Sequence, residues 1–214
     1  MKLSVNEIFY SIQGEGLDSG RPCAMIRLSG CNLRCRHCDT QYAFYEGFDL
    51  EINEITEQIR GYNTNIAEVT GGEPLIQKNS LFLVKKLLDL GYRTLIETNG
   101  SCDISLLDER AIKIMDIKTP SSGMEKYNLY SNLPKLKGED QIKFVIKDRT
   151  DFDFSINILK DYSLNINNGN ILFSPAAAEL EMNKLAKWLL ESNTNARMQV
   201  QLHKIIWPDN RKGV

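Results

Sequence analysis

Seven short apolar runs recur along the chain: CAMIRL at 23–28, IAEVT at 66–70, TLIET at 94–98, IKIMDIK at 112–118, QIKFVI at 141–146, ILFS at 171–174 and MQVQL at 198–202. Each is rich in apolar and β-branched residues and is bounded by turn residues, which reads as strand. Between them the periodicity becomes helical. SLFLVKKLLDLGY places Leu81, Val84 and Leu88 on one face and ends in Gly91, a residue suited to a helix C-terminus. LEMNKLAKWLLE does the same with Met182, Leu185 and Leu189. Alternating strand and helix predicts a parallel sheet with crossover helices, either open or curled towards a barrel. Both architectures gather their chemistry at the C-terminal ends of the strands. Three loop motifs fall at that edge: SGC after the first run, TGGEP after the second and TNG after the third.

The chain has 214 residues, of which 42% are hydrophobic, enough for one substantial core; a single domain spanning 1–214 is expected. Net charge is -2 and the Lys and Arg residues are scattered, so no nucleic-acid or membrane-surface footprint is present. MKLSVNEIFY lacks the basic start and apolar run of a signal peptide, and no apolar stretch is long enough to span a bilayer. A cytoplasmic, reducing location is the default expectation. There, clustered cysteines bind metal or catalyse more often than they form disulfides.

GCNLRCRHCDT brings Cys31, Cys35 and Cys38 onto one loop. Thiolates are the soft ligands that zinc and iron–sulfur clusters select. Structural zinc takes four closed ligands, usually as two separated pairs, and no second pair follows downstream. His37 is a candidate fourth ligand, but it adjoins Cys38, where both side chains hardly converge on one ion. Three thiolates on one loop suit three irons of a [4Fe–4S] cube and leave the fourth iron open to a small molecule. Zinc is the alternative. In TGGEP, two adjacent glycines allow a ligand close to the backbone, although an ordinary strand-to-helix turn explains them equally well. Cys23, among apolar neighbours, and Cys102, just past a turn, read as structural.

Together the cysteine spacing and the Gly-Gly-Glu-Pro segment resemble the radical S-adenosylmethionine superfamily. The resemblance implies an α/β fold, an incomplete, splayed parallel (β/α) barrel of about six strands, since eight-stranded barrels usually need about 250 residues. It also implies a [4Fe–4S] cluster on Cys31, Cys35 and Cys38, with the open iron chelating S-adenosylmethionine. Gly72 and Glu73 would then help bind the cofactor's amino group, while His37, Cys38 and Asp39 line its adenosine side. One electron splits the cofactor, and the 5′-deoxyadenosyl radical abstracts hydrogen from the substrate in a site closed to water.

Within that superfamily, NEIFYSIQGEG (6–16), IRLSGCNLRC and CDT resemble the 7-carboxy-7-deazaguanine synthase family of the queuosine pathway, as do TGGEP, ETNG, DIKTPSSG and HK further along. That implies radical ring contraction of 6-carboxy-5,6,7,8-tetrahydropterin with loss of ammonia. A pterin edge offers donors and acceptors that Gln13, Glu15 and the backbone of Ile12 to Gly14 match. Arg27 suits the substrate carboxylate as a bidentate partner, its alternative being an ion pair closing a strand end. Thr40 corresponds to the family's Mg²⁺ ligand and is otherwise a helix cap. Thr70 is expected to touch substrate. Ser121, Ser122 and Gly123, with Ser174, Pro175, Ala176 and Ala177, resemble cofactor contacts, yet both segments are also ordinary turn sequences. Asn99 is expected either at the ribose or in a tight turn. His203 is expected to end the last strand, and Val214 to present its terminal carboxylate to the pterin. The expected electron donor is a flavodoxin or ferredoxin. An open sheet edge predicts a homodimer. The rivals are a glycyl-radical activase and a non-catalytic zinc or electron-carrying module.

Overall fold

The computed structural model describes residues 1–208 and 212–214. The chain begins with β1 (Lys2–Ile12) and β2 (Pro22–Leu28), an antiparallel pair, followed by β3 (Phe48–Glu51), which flanks β1 on its other side. Then come α1 (Ile52–Arg60), β4 (Ile66–Gly71), α2 (Ser80–Asp89), β5 (Arg93–Thr98) and β6 (Ile112–Asp116). The chain continues through β7 (Gln141–Ile146), α3 (Arg149–Asp161), β8 (Ile171–Pro175), α4 (Met182–Glu191), β9 (Arg197–Met198) and α5 (Leu202–Ile206). The sheet order is β3-β1-β2-β4-β5-β6-β7-β8-β9, parallel from β2 onwards. It is open, with β3 and β9 as its edges. Six of the seven predicted runs are strands within two residues of the expected ends, because parallel strands covered on both faces read as apolar stretches.

Three differences have physical causes. The first is β1, which the apolar runs did not reveal: its two-residue alternation breaks at a register shift between Val5 and Glu7. The second is MQVQL, of which only Met198 belongs to a strand. Gln199 and Gln201 both donate to the Glu15 carboxylate and Leu202 N–H to the Gly14 carbonyl, so the chain leaves the sheet and turns into α5. His203 therefore lies on a helix rather than at a strand end. The third concerns helix faces. In α2 the fully buried residues are Leu83, Val84 and Leu87, while Leu81 and Leu88 are only half-buried, about one position off the predicted stripe. In α4 Leu185 and Leu189 are buried, but Met182, the first helical residue, is 52% exposed. Gly91 does end α2, at φ +86°, a left-handed conformation that favours glycine.

Strand alternation gives the sheet two faces with different chemistry. Ile26, Val69, Ile96, Ile142, Phe144 and Phe173 point outwards into a core shared with the helices. Facing the other way, Phe9, Cys23, Met25, Ile66, Leu95, Ile112 and Ile114 form a smaller apolar floor. Towards the C-terminal ends of the parallel strands the inner face becomes polar: Arg27 on β2, Glu68 and Thr70 on β4, Glu97 on β5, Asp116 on β6 and Lys143 on β7.

Candidate functional site

The cysteine loop follows β2. Cys31, Cys35 and Cys38 are free and half-buried. Burial raises the Cys31 and Cys35 thiols, and the nearby Lys118 ammonium opposes that rise. Among the described residues no three His, Cys, Asp or Glu side chains converge on one metal ion. Thiols that each bind a different iron need no common point. The donor set, three thiols on one loop beside a cation, fits an iron–sulfur cluster.

The turn after β4 is fastened to this loop. Gly72 N–H donates to the Leu28 carbonyl at 3.2 Å and Glu73 N–H to the Gly30 carbonyl at 2.8 Å. A Cβ on Gly72 would sit 2.1 Å from Gly30 O and 2.7 Å from Cys31 Cβ. The neighbour that requires glycine here is thus the cysteine loop's own backbone, whereas the sequence suggested a ligand. Glu73 is fully buried, and its carboxylate accepts from Leu75 N–H (3.0 Å), Thr98 Oγ1 (2.8 Å) and Asn99 N–H (2.6 Å). Burial raises its pKa against those three bonds. Asn99 in turn reaches Asn32 Oδ1 at 3.1 Å and accepts from Ser101, so its amide serves the turn and the cysteine loop.

The remaining cofactor candidates ring the same loop. His37 is half-buried, and burial, followed by Lys118, lowers its pKa. Burial works to raise the Asp39 carboxyl, but Lys204 at 2.7 Å overrides it and brings it down to about 2. Arg36 N–H bonds the Ser122 carbonyl at 3.1 Å, which draws residues 120–123 against the thiols. The Ser121 hydroxyl is spent on Asp151 and that of Ser122 on the Thr119 carbonyl; Gly123 lies against Arg36. Asp116 Oδ1 and Ser174 Oγ, at the C-terminal tips of β6 and β8, are among the buried polar atoms that find no partner among the described residues. Buried polar atoms without partners invite a ligand or water. Pro175 and Ala176 are buried beside Ser174 and Ala177 is exposed.

The substrate candidates meet over the apolar floor. Arg27 Nε donates to Glu7 Oε1 at 2.8 Å, and its guanidinium lies over the Phe9 and Tyr42 rings. Among the described residues its two terminal nitrogens carry no acceptor, so the strand-end ion pair leaves the fork of the guanidinium free. Gln13 is less open than expected. Its amide donates to Glu68 and accepts from Glu15 N–H, while its backbone closes the β1–β2 hairpin on Gly20 and Arg21. Ile12 ends β1 opposite Pro22, and the Gly14 carbonyl is taken by Leu202. The His203 ring lies against Gly14. Glu15 and Thr70 join this group, Glu15 beside Lys143 at 3.0 Å and Thr70 Oγ1 donating to Glu97 at 3.0 Å. Thr40 precedes a 3₁₀ turn without capping it; its hydroxyl lies 3.7 Å from Cys38 Sγ. Gly213 N–H donates to Glu7 Oε2 at 3.0 Å, which carries Val214 to the Glu7–Arg27 pair. Sequence reasoning missed Glu7, Glu68, Glu97, Lys118 and Lys143. The available signal was a charge inside an otherwise apolar strand, as in IAEVT, TLIET and QIKFVI, where burial is costly unless the charge has a partner.

The chain is similar to known proteins in both sequence and fold. Residues 25–120 match the radical SAM superfamily. The 7-carboxy-7-deazaguanine synthase of Chlorobaculum tepidum is 38% identical, over 99% of this chain and 97% of the relative. That of Thermoplasma acidophilum is also 38% identical, over 96% of this chain and 97% of its own length. The crystal structure of QueE from Escherichia coli has a TM-score of 0.78 and 22% identity, covering 93% of this chain and 94% of that one, which shows a shared fold.

Proposed function

The chain belongs to the 7-carboxy-7-deazaguanine synthase family of radical SAM enzymes, and on that premise we propose that it contracts the ring of 6-carboxy-5,6,7,8-tetrahydropterin, with Mg²⁺ and with loss of ammonia. It is a radical SAM lyase that uses a [4Fe–4S] cluster and S-adenosylmethionine. That pair supplies one-electron chemistry able to remove a substrate hydrogen atom. The chain's own residues do the rest. Cys31, Cys35 and Cys38 hold the cluster, and the turn at Gly72 fixes their loop. The free fork of Arg27 receives a carboxylate bidentately, Glu15 and Glu97 accept from the heterocycle's N–H groups, and Thr40 offers a neutral oxygen to Mg²⁺. The apolar floor excludes water beneath them.

One observation carries this reading: a free Arg fork and paired carboxylates stand over an apolar floor, immediately beside a three-thiol loop. Full-length similarity to the synthases weighs against an activase and against a non-catalytic zinc or electron-carrying module. Reconstituted protein incubated without oxygen with the tetrahydropterin, S-adenosylmethionine, Mg²⁺ and dithionite should form 7-carboxy-7-deazaguanine. No product from protein with a full cluster would refute the assignment. A flavodoxin or ferredoxin as reductant, a cytoplasmic location and one domain complete the proposal. No described helix is long and apolar enough to cross a membrane. A homodimer is proposed because the open sheet leaves two edges to cover.

A further inference from the structure

Lys143 projects from the apolar run of β7 onto the inner face, where its side chain is 5% exposed. Its ammonium reaches Glu15 Oε2 at 3.0 Å, Glu97 Oε1, and Asp116 Oδ2 at 3.7 Å. An ammonium has three protons, and carboxylates from three separate elements face them. The contact with Glu97 is a hydrogen bond, while Asp116 at 3.7 Å is an ion-pair neighbour only. Burying ionised groups costs several kcal/mol each, and an apolar side chain would fill the position more cheaply, so the arrangement calls for a reason other than stability.

The acceptors supply that reason. Glu97 also accepts from Thr70 Oγ1 at 3.0 Å, and Glu15 from Gln199 Nε2 at 3.0 Å and Gln201 Nε2 at 2.7 Å. A carboxylate offers about four lone-pair sites. Among the described residues, Glu97 therefore keeps about two sites for outside donors and Glu15 about one. Glu15, Glu97 and Asp116 set against Lys143 and Lys118 also leave this rim with excess negative charge.

We propose that Lys143 is a positioning residue of the substrate site, holding Glu15 and Glu97 side by side as twin acceptors for the adjacent N–H donors of a 2-amino fused pyrimidine. This rests on the pterin reading above. Other charged groups face the two carboxylates: Glu68 from β4, Lys118 from beyond β6, Arg27 from β2 and His203 from α5. No bond to both carboxylates is made by any of them. Burial works to raise the Glu97 carboxyl and the Lys143 ammonium brings it below its ordinary range; without that ammonium Glu97 takes up a proton more readily.

The test titrates holoenzyme, without oxygen and with S-adenosylmethionine, with 6-carboxypterin, a fluorescent compound carrying the same donor edge. Affinities from about pH 6.5 to about pH 8.5 are read as ratios to wild type at each pH, because Glu68 and the pterin N3–H titrate in that window for every variant alike. Lys143→Met should bind roughly 10- to 100-fold more weakly at neutral pH and recover as pH rises. S-adenosylmethionine binding should not change. Lys143→Arg keeps the charge and should stay within about fivefold, with a flat profile; it serves where the Met variant folds poorly. A Met variant with wild-type affinity and a flat profile, or an Arg variant whose affinity climbs with pH, overturns the proposal. If wild-type holoenzyme binds S-adenosylmethionine but not the pterin, the pterin reading itself fails. Infrared bands of the carboxyl groups then judge Lys143 separately: a protonated band in Lys143→Met beyond the one Glu68 gives in wild type supports its role, and identical spectra refute it.

Discussion

Glu68 stands on β4 with its carboxyl pushed up to about 8, by burial first and then by the nearby Glu97 charge. In the unfolded chain it titrates near 4.5. Between these values the folded protein holds a proton that the unfolded chain has lost, so this group makes stability fall as pH rises through that window. Glu68→Gln mimics the protonated form. Its melting temperature should gain on wild type by several degrees between about pH 5 and about pH 9, and parallel curves would show that Glu68 is ionised throughout. Gly72 is constrained in another way. Its missing Cβ makes room for the Gly30 carbonyl, a backbone atom that cannot rotate away. Gly72→Ala should cost about 1–3 kcal/mol in denaturant unfolding and lower the iron taken up on reconstitution. Wild-type stability with full iron content would mean that the loop yields freely.

At the level of elements, the parallel strands were legible because both of their faces are covered, and an apolar run marks that condition directly. The helices were legible as periods but not as faces. Leu81, Val84 and Leu88 share a stripe with the correct spacing, yet Leu83 and Leu87 are the residues that enter the core with Val84. Period alone does not give the rotation at which a helix docks on its sheet. The energetic consequence is a contrast between two similar truncations. Leu83→Ala should destabilise by about 2–4 kcal/mol, whereas Met182→Ala at the exposed start of α4 should change stability by less than about 0.5 kcal/mol. Equal losses in chemical denaturation would contradict the packing described. The hairpin of β1 and β2 escaped notice for a related reason, since the shift between Val5 and Glu7 interrupts the alternation by which a half-buried strand is recognised.

Over the whole molecule, what the sequence displayed best was chemistry confined to one loop. Three cysteines in eight positions, or two glycines before Glu-Pro, are visible without any knowledge of the fold. The charge network on the inner face was not visible, because Glu15, Glu97 and Lys143 meet only after β5, β6 and β7 have been laid side by side. The same topology brings the turns after β4, β5 and β6 around the cysteine loop. The central claim is that three thiols hold an iron–sulfur cube with one corner free for S-adenosylmethionine. Mössbauer spectroscopy of anaerobically reconstituted, iron-57-labelled protein tests it most directly. With about four irons per chain, adding S-adenosylmethionine should shift one iron site away from the other three. Spectra left unchanged by saturating S-adenosylmethionine, in protein with its full complement of iron, would contradict the claim.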